Sequence, residues 1–417
     1  MKVLVVGGGG REHAICSAFK KSKYNVELYC APGNAGISEI ATCVNIKATD
    51  IPAMVKYAKE NEIELVFVAP DDPLALGMVD ALEEAGIRAF GPKKNAAIIE
   101  ASKSFSKEFM KKYGIPTAKY ETFDNIVEAE KYLEKADMPI VLKADGLALG
   151  KGVIIANTRD EAIQALHDIM QDKKFGSAGD KVVIEEFLTG PEATILVFTD
   201  GKTYKIMPSS QDHKKAYDGD KGLNTGGMGA FSPSPKVTKE KIAEIEKNII
   251  IPTINGLNEI GRTFKGVIYF GLMLTNKGVK VIEYNARFGD PETEAILPLL
   301  KTDIVDICNA CIDGTLGNLD IEWEDKTGFC VVIASGEYPG SVVKGHEIKI
   351  GSLSDKITLF HSGTKYENGH LVNNGGRVIC VTTIAKDIAE AREIVYKEID
   401  KIQFENCRYR KDIGIKD

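Results

Sequence analysis

The stretch VLKADGLALGKGV, residues 141–153, decides how the chain is interpreted. Its apolar run predicts a buried strand that carries Lys143 near its end. A glycine-rich loop follows and contains Lys151 between Gly150 and Gly152. Glycine lets the backbone approach a ligand closely, and lysine side chains and free N–H groups bind phosphate oxygens. The stretch therefore predicts a phosphate-binding loop, although it lacks the P-loop spacing and a solvated turn is the simpler alternative.

A second stretch, VVIEEFLTGPEA (182–193), places acidic residues beside the predicted phosphate site. It ends an apolar strand with Glu185 and Glu186, where one carboxylate normally faces inward. A linker strand whose backbone pairs with the edge of an adenine ring would account for this pattern, and Glu192 would then reach the ribose hydroxyls. Beside phosphate-binding lysines, such a linker indicates ATP.

A third stretch, VIEYNARFGDPE (281–292), supplies a candidate metal site. Glu283 and Asn285 are two residues apart on a predicted strand, so their side chains share one face. Two side-chain oxygens aimed at one point suit Mg²⁺, which binds few protein ligands and completes its shell with phosphate oxygens and water. Arg287 continues the alternation and could hold an anion there. Without the lysines opposite, this would more often be an ordinary surface pair.

Near the amino terminus, GGGGREHA (7–14) predicts a turn between a strand and a helix that can bind phosphate at Gly9, Gly10 and Arg11. The dinucleotide spacing fails, because the third glycine of G-x-G-x-x-G would fall on Glu12 or His13. A ligand the size of a mononucleotide fits better, and a tight turn without a ligand is the alternative. The loop APGNAG (31–36), which contains Asn34, would lie at the same edge of the sheet.

The segment SSQDHKKAYDGDKGLNTGGMGAFSP (209–233) has acids, bases and glycines but no apolar periodicity. Long loops without packing residues inside a compact domain are usually functional. We predict an ordered loop here, since Met228 and Phe231 are bracketed by Gly and Pro; a disordered excursion is the alternative. Its candidate site residues are Asp212, Lys214, Asn224, Thr225, Gly226 and Gly227.

The order of apolar runs and turns predicts an α/β protein of three domains. Residues 1–102 alternate short strands with helices, including one near 74–85, which indicates a Rossmann-like parallel sheet. Apolar residues three or four apart from Ile98 to Tyr113 predict a single joining helix. Residues 103–326 carry hairpin signals at 199–202 and 275–278, hence a partly antiparallel sheet with a small lid subdomain at about 120–190. Residues 327–417 predict a small β-rich domain.

Composition limits the possible partners of this 417-residue chain. Apolar residues make up 44% and charged residues 27%, and the net charge of −7 argues against a nucleic-acid-binding surface. Among the eight cysteines only Cys308 and Cys311 form a C-x-x-C, inside a predicted helix, and buried reduced thiols are expected rather than a zinc site. The first apolar run is too short for a signal sequence or a membrane span, so a cytoplasmic protein is expected.

Taken together, these stretches resemble the ATP-grasp ligases, and among them the glycinamide ribonucleotide synthetases. The resemblance spans essentially the whole chain, because further motifs occur in the family's order: SKSFSKEFM (102–110), NTGGMGAFSP (224–233), NNGGRVICVT (373–382) and CRYRKDIG (407–414). It implies ATP-dependent ligation of glycine to 5-phosphoribosylamine through glycyl phosphate, a step of purine synthesis, on a Rossmann-like domain, a central ATP-grasp domain and a β-rich domain.

The resemblance also implies roles for residues that match the family's motifs. Lys103, Lys143 and Lys151 correspond to lysines that bind phosphate, Glu185, Glu186, Phe187 and Leu188 to the adenine linker, and Glu192 to the ribose acid. Glu283 and Asn285 correspond to ligands of Mg²⁺, with Mn²⁺ as an alternative ion. We further expect Gly9, Gly10 and Arg11 at the ribose phosphate, Asp212, Lys214 and Arg287 near the reacting centre, and Asp290 at the glycine ammonium. The chain departs from the family at Leu223, Lys215 and Asp71–Asp72, where Pro, Arg and Glu-Ala are common.

The expected partners are therefore small molecules, glycine and 5-phosphoribosylamine, with neither nucleic acid nor membrane, in a monomer or homodimer. Another ATP-grasp ligase or carboxylase is the nearest alternative function. A nicotinamide-dependent oxidoreductase is disfavoured by the failed glycine spacing. A non-catalytic nucleotide-binding regulator would not need Glu283, Asn285 and Arg287 together.

Overall fold

The amino-terminal region of the computed structural model, which describes residues 1–147 and 152–415, is a parallel sheet flanked by helices. Its strands are β1 Lys2–Gly7, β2 Glu27–Pro32, β3 Thr42–Cys43, β4 Leu65–Val68 and β5 Ala89–Phe90. Its helices are α1 Gly10–Lys20, α2 Ile51–Glu60, α3 Asp71–Leu76, α4 Met78–Glu84 and α5 Lys94–Ala101. The strands pair in parallel in the order β3-β2-β1-β4-β5, which confirms the predicted Rossmann-like sheet.

Two predicted helices are each broken in the structure. The helix expected near 74–85 is divided into α3 and α4 by Gly77, whose φ of +98° lies in the left-handed region. The single helix expected from Ile98 to Tyr113 is divided at Ser102, so that α5 is followed by α6 (Lys103–Lys112). Ser102 is extended and its hydroxyl accepts a hydrogen bond from Phe105 N at 3.1 Å, as an N-cap does.

A small antiparallel sheet follows. It consists of β6 Tyr120–Phe123, β7 Ile140–Ala144, β8 Val153–Ala156 and β9 Val182–Glu186, with helices α7 Ile126–Leu133 and α8 Arg159–Leu166. The strand order is β6-β9-β7-β8, and the face packed against the helices is apolar. Gly150 and Lys151 fall outside the described residues, so their predicted roles in phosphate binding remain predictions.

The central sheet is also antiparallel and contains both predicted hairpins. Its strands are β10 Glu192–Thr199, β11 Tyr204–Ile206, β16 Gly266–Thr275 and β17 Gly278–Asn285, in the order β11-β10-β16-β17. Helices α9 Lys239–Ile245 and α10 Ile251–Glu259, joined by a π-helical turn at Glu246–Ile250, occupy the predicted long helical stretch. The core beneath this sheet is continuous with that of the amino-terminal sheet.

The segment 209–233 is ordered, as predicted, but the description of it as a loop was wrong. It contains β12 Gln211–Asp212, β13 Lys215–Tyr217, β14 Lys221–Asn224 and β15 Gly229–Ser232. β13 and β14 form an antiparallel hairpin, and Phe231 on β15 is completely buried. Strands this short and this polar show no alternation of apolar residues, and for that reason the sequence did not reveal them.

The carboxy-terminal region is β-rich, as predicted. Helices α11 Glu292–Ile296 and α12 Ile304–Asp313 lead to β18 Thr327–Ser335, β19 Lys349–Ile350, β20 Thr358–His361, β21 Thr364–Glu367, β22 His370–Asn373, β23 Arg377–Ala385, α13 Ile388–Glu398, β24 Ile402–Gln403 and β25 Cys407–Arg408. The main sheet runs β12-β15-β18-β23-β20, so the segment 209–233 contributes two of its strands. All eight cysteines are free, and Cys308 and Cys311 are buried on α12, in agreement with the expected reduced thiols. No helix within residues 1–147 and 152–415 is long and apolar enough to cross a membrane.

Candidate active site

A cavity of about 600 Å³ lies where the amino-terminal sheet, the two antiparallel sheets and the carboxy-terminal sheet meet. Most of the site residues predicted from the sequence line it, and they come from the amino-terminal and central regions of the chain: Arg11, Lys103, Lys143, Gly152, Glu185, Glu186, Phe187, Leu188, Glu192, Asp212, Lys214, Asn224, Thr225, Gly226, Glu283, Asn285, Arg287 and Asp290. The strand with Lys143 and the strand with Glu283 and Asn285 therefore line a single cavity.

One wall of the cavity carries buried lysines. Lys143 on β7 is 3% exposed, and its Nζ lies 3.0 Å from Glu185 Oε1 and 3.0 Å from the carbonyl oxygen of Ile282. Glu185 reaches Lys143 because it lies opposite Val141 in the β7–β9 ladder, on the same face. Lys103, at the start of α6, donates to the carbonyl oxygen of Gly146 at 2.7 Å. Two lysine ammonium groups and one carboxylate therefore lie close together in this wall of the cavity.

The opposite wall carries the acid and amide on β17. Burial alone would raise the pKa of Glu283, but the cations around it, Lys214, Lys143, Lys103 and Arg287, hold its pKa below the usual range, so this carboxylate is ionised. Asn285 Oδ1 accepts a hydrogen bond from Arg287 Nη2 at 3.2 Å. An ionised carboxylate and an amide oxygen on one face are suitable ligands for a divalent cation. Among residues 1–147 and 152–415 no group of three or more His, Cys, Asp or Glu is placed to hold a metal ion.

Arg287 is held by acids that the sequence did not reveal as site residues. Its Nη2 lies 3.1 Å from Glu100 Oε1 and 3.8 Å from Asp71 Oδ2, and its Nε is buried without a hydrogen-bond partner in the described chain. Burial opposes the charge, yet Glu100 and Asp71 raise the pKa of Arg287 above its ordinary value. Burial raises the pKa of Glu100 to about 7 although Arg287 opposes this. The free Nε gives Arg287 a donor for an anionic ligand.

The segment 209–233 brings a second acid–base pair into the cavity. Lys214 Nζ lies 3.0 Å from Glu192 Oε2, and although burial opposes its charge, Glu192, Tyr269 and Glu283 raise its pKa. Asp212 Oδ1 is buried and has no hydrogen-bond partner in the described residues. Burial, together with the negative charge of Glu292, raises the pKa of Asp212 well above the usual value. A positively charged or hydrogen-bond-donating group of a ligand at Oδ1 would supply the partner that this carboxyl lacks and would favour its charged form.

The carboxy-terminal region closes the cavity through two residues that were not predicted as site residues. Arg377 Nη1 lies 2.9 Å from Asp290 Oδ1 and also donates to the carbonyl oxygens of Gly226 at 2.7 Å and Asp290 at 2.9 Å. The Tyr338 hydroxyl accepts a hydrogen bond from Gly226 N at 2.8 Å. Arg377 belongs to the motif NNGGRVICVT, which indicated the family but did not indicate that this residue lies at the cavity.

Four predicted substrate residues lie outside this lining. Gly9 N donates to Glu12 Oε2 at 2.6 Å, and a Cβ on Gly10 would approach Glu294 Oε1 to 2.4 Å. The Asn34 amide donates to the carbonyl oxygens of Gly8 at 3.0 Å and His361 at 2.6 Å, which ties this loop to the carboxy-terminal region. Gly227 N donates to Thr225 Oγ1 at 3.0 Å. Their part in binding a ribose phosphate or the substrates stays a prediction.

Comparison with solved structures defines the class first. The biotin carboxylase domain of Hydrogenobacter thermophilus 2-oxoglutarate carboxylase superposes with a TM-score of 0.75 at 17% identity, over 98% of this chain and 91% of that one, so the fold is shared. A family model for an ATP-grasp (A) domain matches residues 101–293. The protein is an ATP-grasp enzyme.

The particular family follows from matches along the whole chain. The model of that ATP-grasp domain describes phosphoribosylglycinamide synthetase, and the N and C domain models of the same enzyme match residues 1–100 and 328–416. The phosphoribosylamine–glycine ligase of Caldanaerobacter subterraneus is 49% identical over 99% of both chains. The crystal structure of the Thermotoga maritima phosphoribosylamine–glycine ligase has a TM-score of 0.86 at 33% identity, over 99% of this chain and 100% of that one. The chain belongs to the phosphoribosylglycinamide synthetase family, which confirms the resemblance seen in the sequence.

Proposed function

We propose that this protein ligates glycine to 5-phosphoribosylamine, converting ATP to ADP and phosphate and giving glycinamide ribonucleotide by way of glycyl phosphate. Membership of the family supports the reaction. The observation that carries the proposal is that Lys143 on β7 and Lys103 on α6 line the same cavity as Glu283 and Asn285 on β17. That arrangement matches a nucleoside triphosphate with a divalent cation between two walls.

The chemistry requires positioning and positive charge rather than a protein nucleophile. A carboxylate does not react with an amine at neutral pH because it has no adequate leaving group. Transfer of the γ-phosphoryl group of ATP to the carboxylate of glycine gives an acyl phosphate, whose phosphate leaves when the amine attacks the acyl carbon. Lys103, Lys143 and Arg287 would concentrate positive charge where the phosphoryl group moves.

The remaining residues would hold the substrates. The linker from Glu185 to Leu188 would pair with adenine, Glu192 would bind the ribose, and Glu283 and Asn285 would hold Mg²⁺ or Mn²⁺. When bound, the metal supplies charge neutralisation at the phosphate oxygens. In the part of the chain that the structure describes, Arg287 Nε and Asp212 Oδ1 have no hydrogen-bond partner; Arg287 would donate to an anionic group of the substrates and Asp212 would accept from a cationic one.

The substrate amine and its ribose phosphate would lie toward the amino-terminal sheet. Arg11 lines the cavity, and its guanidinium, which pairs with Glu12 Oε1 at 2.6 Å, would contact the phosphate together with Gly9, Gly10 and Asn34. Asn224 to Gly227 and Asp290 would contact the reacting groups from the opposite side. Lys151 and Gly150 would cover the triphosphate. We also propose a cytoplasmic monomer or homodimer.

The direct test is phosphate release from ATP with glycine and freshly prepared 5-phosphoribosylamine, with each component omitted in turn. We expect release only with all three present, together with formation of glycinamide ribonucleotide detected by mass spectrometry. Turnover with bicarbonate or formate in place of glycine would contradict the proposal and favour a carboxylating ATP-grasp enzyme.

The metal assignment is tested by Glu283→Gln. This change removes the charge from one of two proposed protein ligands, so we expect turnover to fall by roughly a hundredfold or more. Binding of Mn²⁺ in the presence of ADP, followed by electron paramagnetic resonance, should weaken in parallel, while circular dichroism stays unchanged. Glu259→Gln, at an exposed acid on α10, is the control and should behave as the wild type. Normal turnover of Glu283→Gln at low-millimolar magnesium would overturn the assignment.

A further inference from the structure

A third lysine, Lys107, lies in the wall of the cavity and was not predicted from the sequence. It is 2% exposed and lies one turn after Lys103 on α6, on the same face. Its Nζ lies 2.9 Å from Glu185 Oε2 and donates to Thr117 Oγ1 at 2.8 Å. Buried ammonium groups are rarely retained without a function or a partner.

Glu185 is shared between two lysines. One oxygen pairs with Lys107 at 2.9 Å and the other with Lys143 at 3.0 Å, and the Glu185 side chain is only 4% exposed. In the described residues Glu185 Oε1 makes no hydrogen bond beyond this ion pair. A buried carboxylate with a single cation would neutralise that cation completely, because the two charges are poorly screened there.

The charges of Lys107, Lys143 and Glu185 do not cancel one another. Two ammonium groups and one carboxylate leave one net positive charge in a buried position. If Lys107 were absent, Glu185 and Lys143 would form a neutral pair, and Lys143 would present an already compensated charge to the cavity. The third lysine therefore adds to the positive charge that this wall can offer to an anion.

We propose that Lys107 is a positioning residue for the nucleotide, which neutralises Glu185 and so frees the charge of Lys143 for a nucleotide phosphate. The inference rests on the proposed function, since it assigns the phosphate at Lys143 to ATP or ADP. Lys107 acts through Glu185 and not by contact with the phosphate, because its own donors are directed to Glu185 and Thr117.

The environment of Lys107 makes this charge sensitive to pH. Burial lowers its pKa to about 8, while Glu185 raises the pKa and Lys143 lowers it further. The other charged or titratable groups that act on it are Glu186 on β9 and Tyr120 on β6, whose ring centre lies 5.6 Å from Nζ. Lys107 is charged below its pKa, so the net positive charge of the three residues is lost as the pH rises through about 8.

The first test is Lys107→Met, which keeps the length of the side chain and removes its charge. Loss of one charge-assisted interaction predicts ADP binding that is about tenfold weaker by isothermal titration calorimetry, and a KM for ATP raised by about the same factor. The KM for glycine should not change. Lys111→Met, at an exposed lysine of the same helix, is the matched control. Thermal unfolding of both variants shows whether Lys107→Met is folded.

The second test removes the negative charge of Glu185 together with the positive charge of Lys107. In the double variant Lys107→Met with Glu185→Gln, Lys143 is again the only charge, so ADP should bind more tightly than to Lys107→Met alone. For the native protein, ADP affinity should fall between pH 7 and 9.5, and this dependence should be absent in Lys107→Met.

Three results would overturn the inference: wild-type affinity in Lys107→Met, still weaker binding in the double variant, or an affinity of the native protein that does not change with pH. These outcomes are distinct from failure of the proposed function. If the proposed function is wrong, the native protein itself would bind no ADP and would release no phosphate when glycine and 5-phosphoribosylamine are supplied.

Discussion

At the scale of single residues, the site depends on buried charges that are held by other charges. Arg287 is the clearest case, because Glu100 on helix α5 holds its guanidinium and also accepts a hydrogen bond from Ala286 N at 2.7 Å. Burial raises the pKa of Glu100 to about 7. The position of Arg287 is therefore coupled to a group that titrates near neutral pH.

We expect activity to fall as the pH drops below about 7, because protonation of Glu100 removes the negative charge that holds Arg287. Glu100→Gln should lower kcat at pH 8 by roughly tenfold and flatten this acidic limb of the profile, since glutamine cannot titrate. The measurement is kcat against pH from 5.5 to 9 at saturating substrates. Glu83→Gln, at an exposed acid of α4, should keep the wild-type profile. An unchanged acidic limb in Glu100→Gln would contradict the coupling.

The raised pKa of Glu100 also affects stability. Its folded-state pKa lies above the ordinary value of a glutamate, so the folded state binds this proton more tightly than the unfolded state. Ionisation of Glu100 therefore costs folding free energy as the pH rises from the unfolded value toward about 7. Glu100→Gln removes this dependence, and the loss of activity in that variant should not be accompanied by lower stability at neutral pH.

Spacing along the strands predicted site residues, whereas spacing along the helices did not; the helical residues Arg11 and Lys103 were predicted from motifs instead. Glu283 and Asn285 were identified because a period of two fixes a shared face without knowledge of the partner. Glu100 and Lys107 lie on helices, where the face directed at the site depends on how the helix packs. Nothing local distinguishes a buried lysine in SKSFSKEFM from the exposed lysines that follow it.

At the scale of elements, the break at Ser102 is the main departure from the expected helix. The apolar spacing continues from α5 into α6, so the pattern alone predicted one helix. The Ser102 hydroxyl caps α6 and also donates to Asp145 Oδ1 at 3.1 Å, which connects the break to the loop after β7. Side-chain bonding of this kind competes with helix continuation and leaves no periodic signal.

Ser102→Ala should lower the free energy of unfolding by about 1 kcal/mol through loss of the cap. It should also raise the KM for ATP, because the cap sets the direction in which Lys103 enters the cavity. Thr158→Ala removes a comparable cap from α8, whose Thr158 side chain accepts from Glu161 N at 3.2 Å. We expect a similar loss of stability in that control, measured by urea unfolding, with no change in KM. Equal KM values in both variants would show that the break has no part in the site.

At the scale of the whole molecule, the carboxy-terminal region is joined to the site by Arg377. Its guanidinium bonds to Asp290 and to the backbone of the segment 209–233, which itself supplies two strands to the carboxy-terminal sheet. The three-domain division was visible in the sequence as a change from helices to short strands. Its contribution to the cavity was not visible, because contacts between residues 226 and 377 have no local signature.

Arg377→Met should leave the partly buried Asp290 carboxylate without its cation and cost about 2 kcal/mol of folding free energy. We expect ligation to be lost and the hairpin of β13 and β14 to become sensitive to limited proteolysis. Lys365→Met breaks an exposed ion pair with Glu367 on β21 and should change stability by less than about 0.5 kcal/mol. Full activity in Arg377→Met would show that the carboxy-terminal region does not complete the site.

The residues that line the cavity are far apart in the sequence, and this has a consequence for mutations that shorten the chain. Arg11 and Arg377 border the same space although 365 positions separate them in the sequence, and helices and sheets from between them supply the rest. A truncated protein would lack some of the residues that line the cavity, even if its remaining parts folded. A stop codon ahead of Arg377 would therefore remove part of the lining, and we expect the resulting gene product to be inactive.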